Sequence, residues 1–397
     1  MCELVITIKD AFRKKFQQGY PLIFEEAIRD PHDLGKEGSL LKLVGENGAF
    51  IGKGFYGKQN KGLGWVLTHK EKETIDQQFF ERKISAALND RKPFFDDEDT
   101  TAFRVFNGEG DGIGGFTIDY YKDNYVINWY SDGIFQFKEE VTQSLEKLVS
   151  YKGIYEKKRF NVGGKYVEDD DFVMGEREEF PIIVKENGVR FAVYLNDGPM
   201  TGIFLDQREV RKTIRKSYAK GKKVLNTFSY TGAFSVCAAL GGAAHTTSVD
   251  LANRSLPRTT EQFSMNNIER EAHEIKVMDV FRYFKYAVKK GISYEMIILD
   301  PPSFARSKKN TFSVPKDYKN LLKDAIAITK RNGVIVASTN YAGFGMTKFK
   351  ELVKKAFHET GKQYRVIEEF SLPEDFKTNK DFPEGDYLKV LFIKKMN

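Results

Sequence analysis

The second half of the chain switches repeatedly between apolar runs of strand length and helical periodicity. Between Lys222 and Asp250 it reads KKVLNTFSYTGAFSVCAALGGAAHTTSVD. A short apolar strand at 224–225 breaks at a polar turn, 226–232. An apolar-rich helix over 233–240 follows and stops at Gly241 and Gly242, where a left-handed C-cap costs least. A β-rich run at 246–249 then ends on Asp250. This is a βαβ unit, which demands a parallel pair and a right-handed crossover. Further strands are expected at 274–277, 296–299 and 334–337. A helix is expected from just after Asp250 to about Met265, with Pro257 near its start, where proline is tolerated. The last two strands, about 364–370 and 387–394, read as an antiparallel edge pair.

The first half reads differently. Residues 1–72 show short strands with glycine turns, and Asn47-Gly48 between apolar runs is a hairpin signal. A helix over about 75–88 and the acidic run Asp96-Asp97-Glu98-Asp99 lead into a second segment. There Gly110, Gly112 and Gly115 match GxGxxG literally, but they precede a strand, whereas a nucleotide-binding glycine loop must open a helix. Residues 181–198 form a hairpin around Asn187-Gly188. The expected division is 1–72, 73–185 and 186–397, the last an open α/β sheet.

The 397 residues are 41% hydrophobic, enough for two or three domains with real cores. Lys and Arg number 63 against 56 Asp and Glu, a net charge of +7, which permits a polyanionic partner without requiring one. Cys2 and Cys237 are the only cysteines, so a disulfide framework is excluded and a cytosolic setting is expected. The N-terminus lacks a signal peptide's apolar core, and no run approaches membrane-spanning length. No metal site is expected.

Two stretches carry candidate chemistry. In the first, free N–H groups at a turn opening a helix hold an anion, and a carboxylate after the next strand takes ribose hydroxyls. Gly232 is the only glycine in that turn, so no pyrophosphate cradle is present and S-adenosylmethionine (SAM) fits better than NAD. On this unit alone, an ordinary buried crossover ending on a chance Asp reads equally well. The second stretch is Asp300-Pro301-Pro302-Ser303-Phe304, at a strand's C-terminal end. Consecutive prolines stiffen the chain and leave carbonyls free as acceptors. Such a rim beside a carboxylate suits a planar, amino-bearing base, although Asp-Pro-Pro is also a common rigid turn.

NTFSYTGAFS, SVD, DPPSFARSKK and TGIFLDQR together resemble the loops of class I SAM-dependent 23S rRNA methyltransferases. The family resembled is built as a PUA-like domain, a central α+β domain and a Rossmann-like domain, the kind that includes RlmI, RlmK and RlmQ. The resemblance extends over nearly the whole chain and implies SAM as cofactor and 23S rRNA or a large-subunit assembly particle as partner. A homodimer stays open. It implies cofactor contacts at Asn226, Phe228, Ser229, Tyr230, Thr231, Gly232, Asp250, Asn253, Asp279, Val280 and Asp300, with Phe204, Asp206 and Gln207 beside the pocket. Asp279 also reads as an N-cap of the next helix.

RNA contact is expected at Arg208, Arg306, Lys308, Lys309 and Tyr341, with Tyr318 able to stack. Arg208, Arg211, Lys212, Arg215 and Lys216 form a basic stripe that could be solvated or touch RNA. Lys157, Lys158 and Arg159 read as a solvated face. In the N-terminal segment, Arg13, Lys14, Lys15 and Lys53 interleave with Phe16, Tyr20 and Phe55; ordinary core aromatics beside solvated cations compete with stacking on RNA.

The methylated atom follows from chemistry. Cytosine C5 is a poor nucleophile and needs a thiolate added at C6, hence a cysteine at the rim. RlmI-type enzymes carry it after the strand equivalent to 334–337; here that element is Ser338-Thr339-Asn340. Cys237 falls inside the helix after the SAM turn, where a core thiol is expected. STNYAGFGM resembles the RlmK element instead. Guanine N7 methylation is therefore favoured, with Asp300 and Asn340 holding base edges, carbonyls near Pro301 orienting the ring, and Phe304 or Tyr341 stacking. Cytosine C5 methylation and a non-catalytic RNA-binding or ribosome-assembly role are the alternatives.

Overall fold

A computed structural model describes residues 3–31, 34–59, 62–162, 165–166, 171–306 and 311–397. Cys2, Lys308, Lys309 and the side chain of Arg306 lie outside the described residues. The chain divides into two compact units. One holds residues 1–184, Tyr194–Thr201 and Glu374–Gly385; the other holds Lys185–Val193, Gly202–Pro373 and Asp386–Asn397.

The first unit holds two five-stranded sheets and a short two-stranded pair among its described residues. Strands β1 (Leu4–Ile8), β2 (Leu22–Ile23), β3 (Leu40–Gly45), β4 (Phe50–Gln59) and β5 (Gly62–Thr68) order as β1-β3-β4-β5-β2, with helix α1 (Asp10–Gln17) after β1. Asn47-Gly48 joins β3 to β4 as expected, Gly48 taking φ +75°. Helices α2 (Gln77–Asp90) and α3 (Lys92–Phe95) follow. The second sheet is built from β6 (Ala102–Asn107), β7 (Phe116–Tyr121), β8 (Asn124–Trp129) and β9 (Gly153–Lys158), with α4 (Asp132–Phe135) and α5 (Lys138–Leu148) between β8 and β9. A short pair, β10 (Asn161–Val162) and β11 (Lys165–Tyr166), precedes β12 (Phe172–Gly175), which pairs with β9 at the sheet edge.

The glycines at 110, 112 and 115 lie between β6 and β7, not at a helix start, so the discarded GxGxxG is a turn between strands. Phe16, Tyr20 and Phe55 are buried, which removes them as stacking platforms, and Lys53 pairs with Glu3 at 2.8 Å. Lys157 is not on a solvated face. It is buried, and its ammonium donates to Asp171 and to the Gly198 carbonyl, each at 2.6 Å.

The hairpin of β13 (Ile182–Glu186) and β14 (Val189–Val193) turns through Asn187 and Gly188, at φ +49° and +79°. Those values are what a two-residue hairpin turn of the primed type requires.

The second unit is an α/β sheet of seven strands: β15 (Lys223–Thr227), β16 (His245–Asp250), β17 (Glu274–Val277), β18 (Tyr294–Leu299), β21 (Thr329–Thr339), β22 (Tyr364–Phe370) and β23 (Lys389–Lys395). Between β18 and β21 lies a small pair, β19 (Phe304–Arg306) and β20 (Thr311–Ser313). The order is β17-β16-β15-β18-β21-β23-β22; the first five strands run parallel, and β23 is antiparallel to both its neighbours. Helices α6 (Arg208–Thr213), α7 (Ala233–Leu240), α8 (Ser255–Met265), α9 (Val280–Lys290), α10 (Val314–Ile328) and α11 (Met346–Glu359) connect and cover it. The central strands are apolar on both sides, as a sheet with two covered faces requires. Leu225, Ile297, Leu299 and Ile335 pack in one layer, while Val224, Met296, Ile298 and Val336 pack in the other. Helix α7 ends at Gly241 with an ordinary negative φ; the left-handed position is Gly242, at φ +80°.

Candidate cofactor and catalytic site

The strand order reverses at β15. From it β16 and β17 extend one way, and β18 and β21 the other. Ligands of open α/β sheets bind in the crevice beyond the carboxyl ends at such a switch. The loops leaving those ends hold residues 228–232, 250–254, 278–279, 300–304 and 340–345. The expected residues at 228–232, 250, 253, 279, 300, 301, 304, 340 and 341 sit on them, whereas Phe204, Asp206, Gln207 and Arg208 come from the segment that leads into α6.

The turn after β15 is strained. Phe228 and Tyr230 both have positive φ, +54° and +51°, and Gly232 has +78°. Non-glycine residues pay for this conformation and hold it only when their surroundings impose it. Here the Tyr230 N–H donates to Asp250 Oδ2 at 2.9 Å, Ser229 N–H to the Val249 carbonyl at 3.1 Å, and the Thr231 hydroxyl to the Gly202 carbonyl at 2.7 Å. Asp250 thus braces the turn, and its other oxygen accepts from the Ala252 N–H at 2.9 Å. Carboxylate oxygens keep further lone pairs after one bond each. A Cβ on Gly232 would meet Thr259 Cγ2 at 2.4 Å. Asn226 is fixed by its amide donating to Ser235 Oγ at 3.0 Å, while its Oδ1 and the Ser229 Oγ are buried without a partner among the described residues.

The loop 202–207 carries Phe204, Asp206 and Gln207. Phe204 is 42% exposed, its ring 5.5 Å from that of Tyr230. Arg211 clamps this loop from below. Its guanidinium makes a two-pronged pair with Glu186 at 2.7 and 2.6 Å and donates to the Phe204 carbonyl at 2.6 Å. Arg208 and Arg211 are both buried, so the basic stripe expected on α6 is not a surface stripe; Arg208 would have to leave its place to reach a phosphate.

Gln207 donates to both oxygens of Asp300 at 3.3 Å and to Ser338 Oγ at 2.9 Å, and its own Oε1 is a buried acceptor without a partner among the described residues. Burial and the neighbouring Asp206 carboxylate push the Asp300 carboxyl up to about 6, against the opposing effect of its Ser338 and Gln207 hydrogen bonds. A carboxyl so perturbed in a cleft is a mark of a functional site. Asp206 in turn accepts from the Tyr387 hydroxyl at 3.0 Å. Pro301 is buried and Pro302 exposed. Ser303 donates to Asn340 Oδ1, joining the β18 and β21 loops. Phe304 is 63% exposed and Asn340 is exposed, while Tyr341 is half-buried.

Two expectations change, at Val280 and Tyr318, and at Asp279 the helix cap is formed. Val280 is buried in the core beneath α9, so its side chain faces no cofactor. Asp279 caps α9 by accepting from the Arg282 N–H at 2.9 Å. Tyr318 is buried with its ring 5.2 Å from Phe349, and it does not stack on a nucleotide. Asn253 is exposed on the β16 loop. Ser338, Tyr387, Glu186 and Arg211 are the site's supporting residues that sequence reasoning missed. The Arg211–Glu186, Gln207–Ser338 and Tyr387–Asp206 contacts join residues 25, 131 and 181 positions apart, so no local pattern announces them.

Acceptors at Asn226, Ser229 and Gln207 that have no partner among the described residues, a strained turn opening a helix, and an acid at the end of β16 fit a nucleoside sulfonium cofactor. Residues 139–390 match the S-adenosylmethionine-dependent methyltransferase family, and residues 6–69 match the PUA-like domain family. The chain belongs to the S-adenosylmethionine-dependent methyltransferase family, and SAM is its cofactor. It is 61% identical over 393 residues to YwbD of Bacillus subtilis (strain 168), provisionally named a ribosomal RNA large subunit methyltransferase, covering 98% of this chain and 99% of that one. It is 30% identical over 383 residues to ribosomal RNA large subunit methyltransferase I of Aeromonas salmonicida (strain A449), covering 96% of each. A solved structure of SMU.776, provisionally named a methyltransferase and complexed with SAH, matches with a TM-score of 0.91 at 38% identity, over 98% of this chain and 100% of that one.

Proposed function

We propose that the protein transfers a methyl group from SAM to N7 of a guanine in 23S ribosomal RNA. The RNA assignment is supported by the large-subunit names of its relatives and by the PUA-like match at 6–69. A large-subunit assembly particle would serve as substrate as well as naked RNA, and either places the enzyme in the cytoplasm.

One observation carries guanine N7 over cytosine C5. Cys237, the cysteine among the described residues, is buried within α7, and burial pushes its thiol up to about 12, with the nearby Glu186 carboxylate adding to the effect. A thiol held neutral in a core cannot add to a pyrimidine C6. Guanine N7 needs no such help, because it carries an exposed lone pair. SAM supplies an electrophilic methyl carbon on sulfur. The N7 lone pair forms the new N–C bond as the C–S bond breaks, and SAH leaves.

The protein's task is then to hold the base in line, which proximity and orientation accomplish. Asn226, Ser229 and the turn through Gly232 bind the cofactor, and Asp250 holds that turn in shape. Gln207 orients Asp300. Asp300 and Asn340 hold base edges, the Pro301 carbonyl orients the ring, and Phe304 or Tyr341 covers its face. The RNA assignment is tested by incubating the protein and labelled SAM with deproteinised 23S rRNA, 16S rRNA or bulk cell protein. Label in 23S rRNA alone supports it. Label in protein, or in both RNAs equally, overturns it.

A further inference from the structure

Two lysines on β23 make the same contacts at opposite ends of one sheet. Lys389 opens the strand and Lys395 closes it, and the two are 3% and 7% exposed. Each ammonium donates to two backbone carbonyls. Lys389 Nζ reaches Tyr341 O and Tyr387 O, both at 2.8 Å; Lys395 Nζ reaches Ile326 O at 2.9 Å and Thr329 O at 2.6 Å. Burying an ammonium is costly wherever it happens. The two positions differ in what they hold.

Register separates them. Lys389 pairs with Thr339, at the carboxyl end of β21, where Asn340 and Tyr341 leave for the cleft; Lys394, beside Lys395, pairs with Val334, towards the opposite end of β21. Tyr341 packs on Phe344 at 5.1 Å, and Lys389 Nζ lies 5.8 Å from the Phe344 ring. The second acceptor of Lys389 is the carbonyl of Tyr387, the residue whose hydroxyl donates to Asp206. Asp206 adjoins Gln207, which holds Asp300 and Ser338. Residues 387–389 therefore tie the loop of Asn340 to the loop of Asp206 and Gln207.

We propose that Lys389 is a positioning residue: by fixing the Tyr341 and Tyr387 carbonyls it sets the Asn340 loop against the Asp206–Gln207 loop, so that the target base meets a preformed rim. This rests on the methyl-transfer reading above. Misplacement of a reacting group by about 1 Å costs about a hundredfold in rate, so loosening a rim loop should reduce turnover at least tenfold. Lys395 does the same structural work away from the cleft and provides an internal control.

The experiment compares full-length Lys389→Met, Lys395→Met and Tyr387→Phe with wild type. The readouts are Tm, SAH affinity by calorimetry, kcat and KM for methyl transfer, and amide hydrogen exchange over 340–345. Both lysine variants should lose thermal stability. Lys389→Met should also lose about tenfold or more in kcat, keep SAH affinity within about threefold, and exchange faster over 340–345. Lys395→Met should keep wild-type kcat and exchange there. Tyr387→Phe, which removes one hydroxyl, should lower kcat with Tm nearly unchanged. Equal kcat losses in the two lysine variants, or unchanged kcat and exchange in Lys389→Met, overturn the proposal. If wild type transfers no methyl group to RNA, the functional reading has failed, and the exchange comparison alone then decides the role of Lys389.

Discussion

Gln207 donates one amide group to both oxygens of Asp300 and to the Ser338 hydroxyl, across 93 and 131 residues of sequence. That side chain joins the loop before α6 to the ends of β18 and β21. It holds a carboxyl whose folded value, about 6, lies above the 3.8 of an exposed aspartate.

The sign of that shift makes a stability prediction. A raised carboxyl means the native state binds a proton more tightly than the unfolded chain. Native stability is therefore lost as pH rises from about 4 to about 6 and stays reduced above. The loss is on the order of 1–3 kcal/mol. Asp300→Asn removes the ionising group, so it should raise Tm at pH 8 and do so less at pH 4.5. The same variant should lose methyl transfer by about a hundredfold or more. Wild-type activity should climb with pH through about 6 as Asp300 ionises. A flat profile from pH 5 to 8, or a lower Tm for the variant at pH 8, contradicts this role.

Cys237→Ala tests the absence of thiolate chemistry. The buried thiol fills a core site, and removing its sulfur should cost roughly 1 kcal/mol. Methyl transfer, measured on protein that still binds SAM, should stay within about twofold of wild type. Abolished transfer in a well-folded variant would mean that the sulfur reaches the base.

Gly232→Ala strikes the cofactor turn. The position has φ +78°, and the new Cβ would press on Thr259. Strain of about 1–2 kcal/mol is expected from the backbone alone. SAH affinity measured by calorimetry should fall about tenfold or more, because the N–H groups before α7 move. Undiminished affinity would remove the turn from the cofactor site.

Arg211→Met leaves Glu186 buried and unpaired and releases the Phe204 carbonyl. Breaking such a pair costs about 3–5 kcal/mol. Urea denaturation should show that loss, and Arg211→Met combined with Glu186→Leu should recover part of it. Equal stability of the single and double variants would show that the unpaired carboxylate is not the source of the cost.

Much of the second unit was legible in the sequence. Helix α7 and strand β17 fall where their patterns place them, and β15 and β16 pair in parallel as the βαβ reading requires, because apolar runs bounded by glycine and acid leave little choice. The GxGxxG at 110–115 was rightly read as a turn, since it precedes a strand. The failures share one cause. Local sequence shows residue type but not burial. Arg208, Arg211, Lys157 and Tyr318 look like surface chemistry, yet each is buried, and Arg211, Lys157 and Tyr318 are held by partners well removed in the chain. The Val280 side chain is likewise in the core. Lys389 and Tyr387 open a strand that reads as an ordinary edge, and their role appears only when β23 inserts between β21 and β22.

The central claim concerns one atom of one base, and the most direct test is the identity of the modified nucleoside. Labelled methyl would be transferred from SAM to 23S rRNA taken from a strain lacking this gene, and the RNA digested and its nucleosides separated. Label in 7-methylguanosine is the predicted result. Label in 5-methylcytidine would contradict it and would require a thiolate in the site.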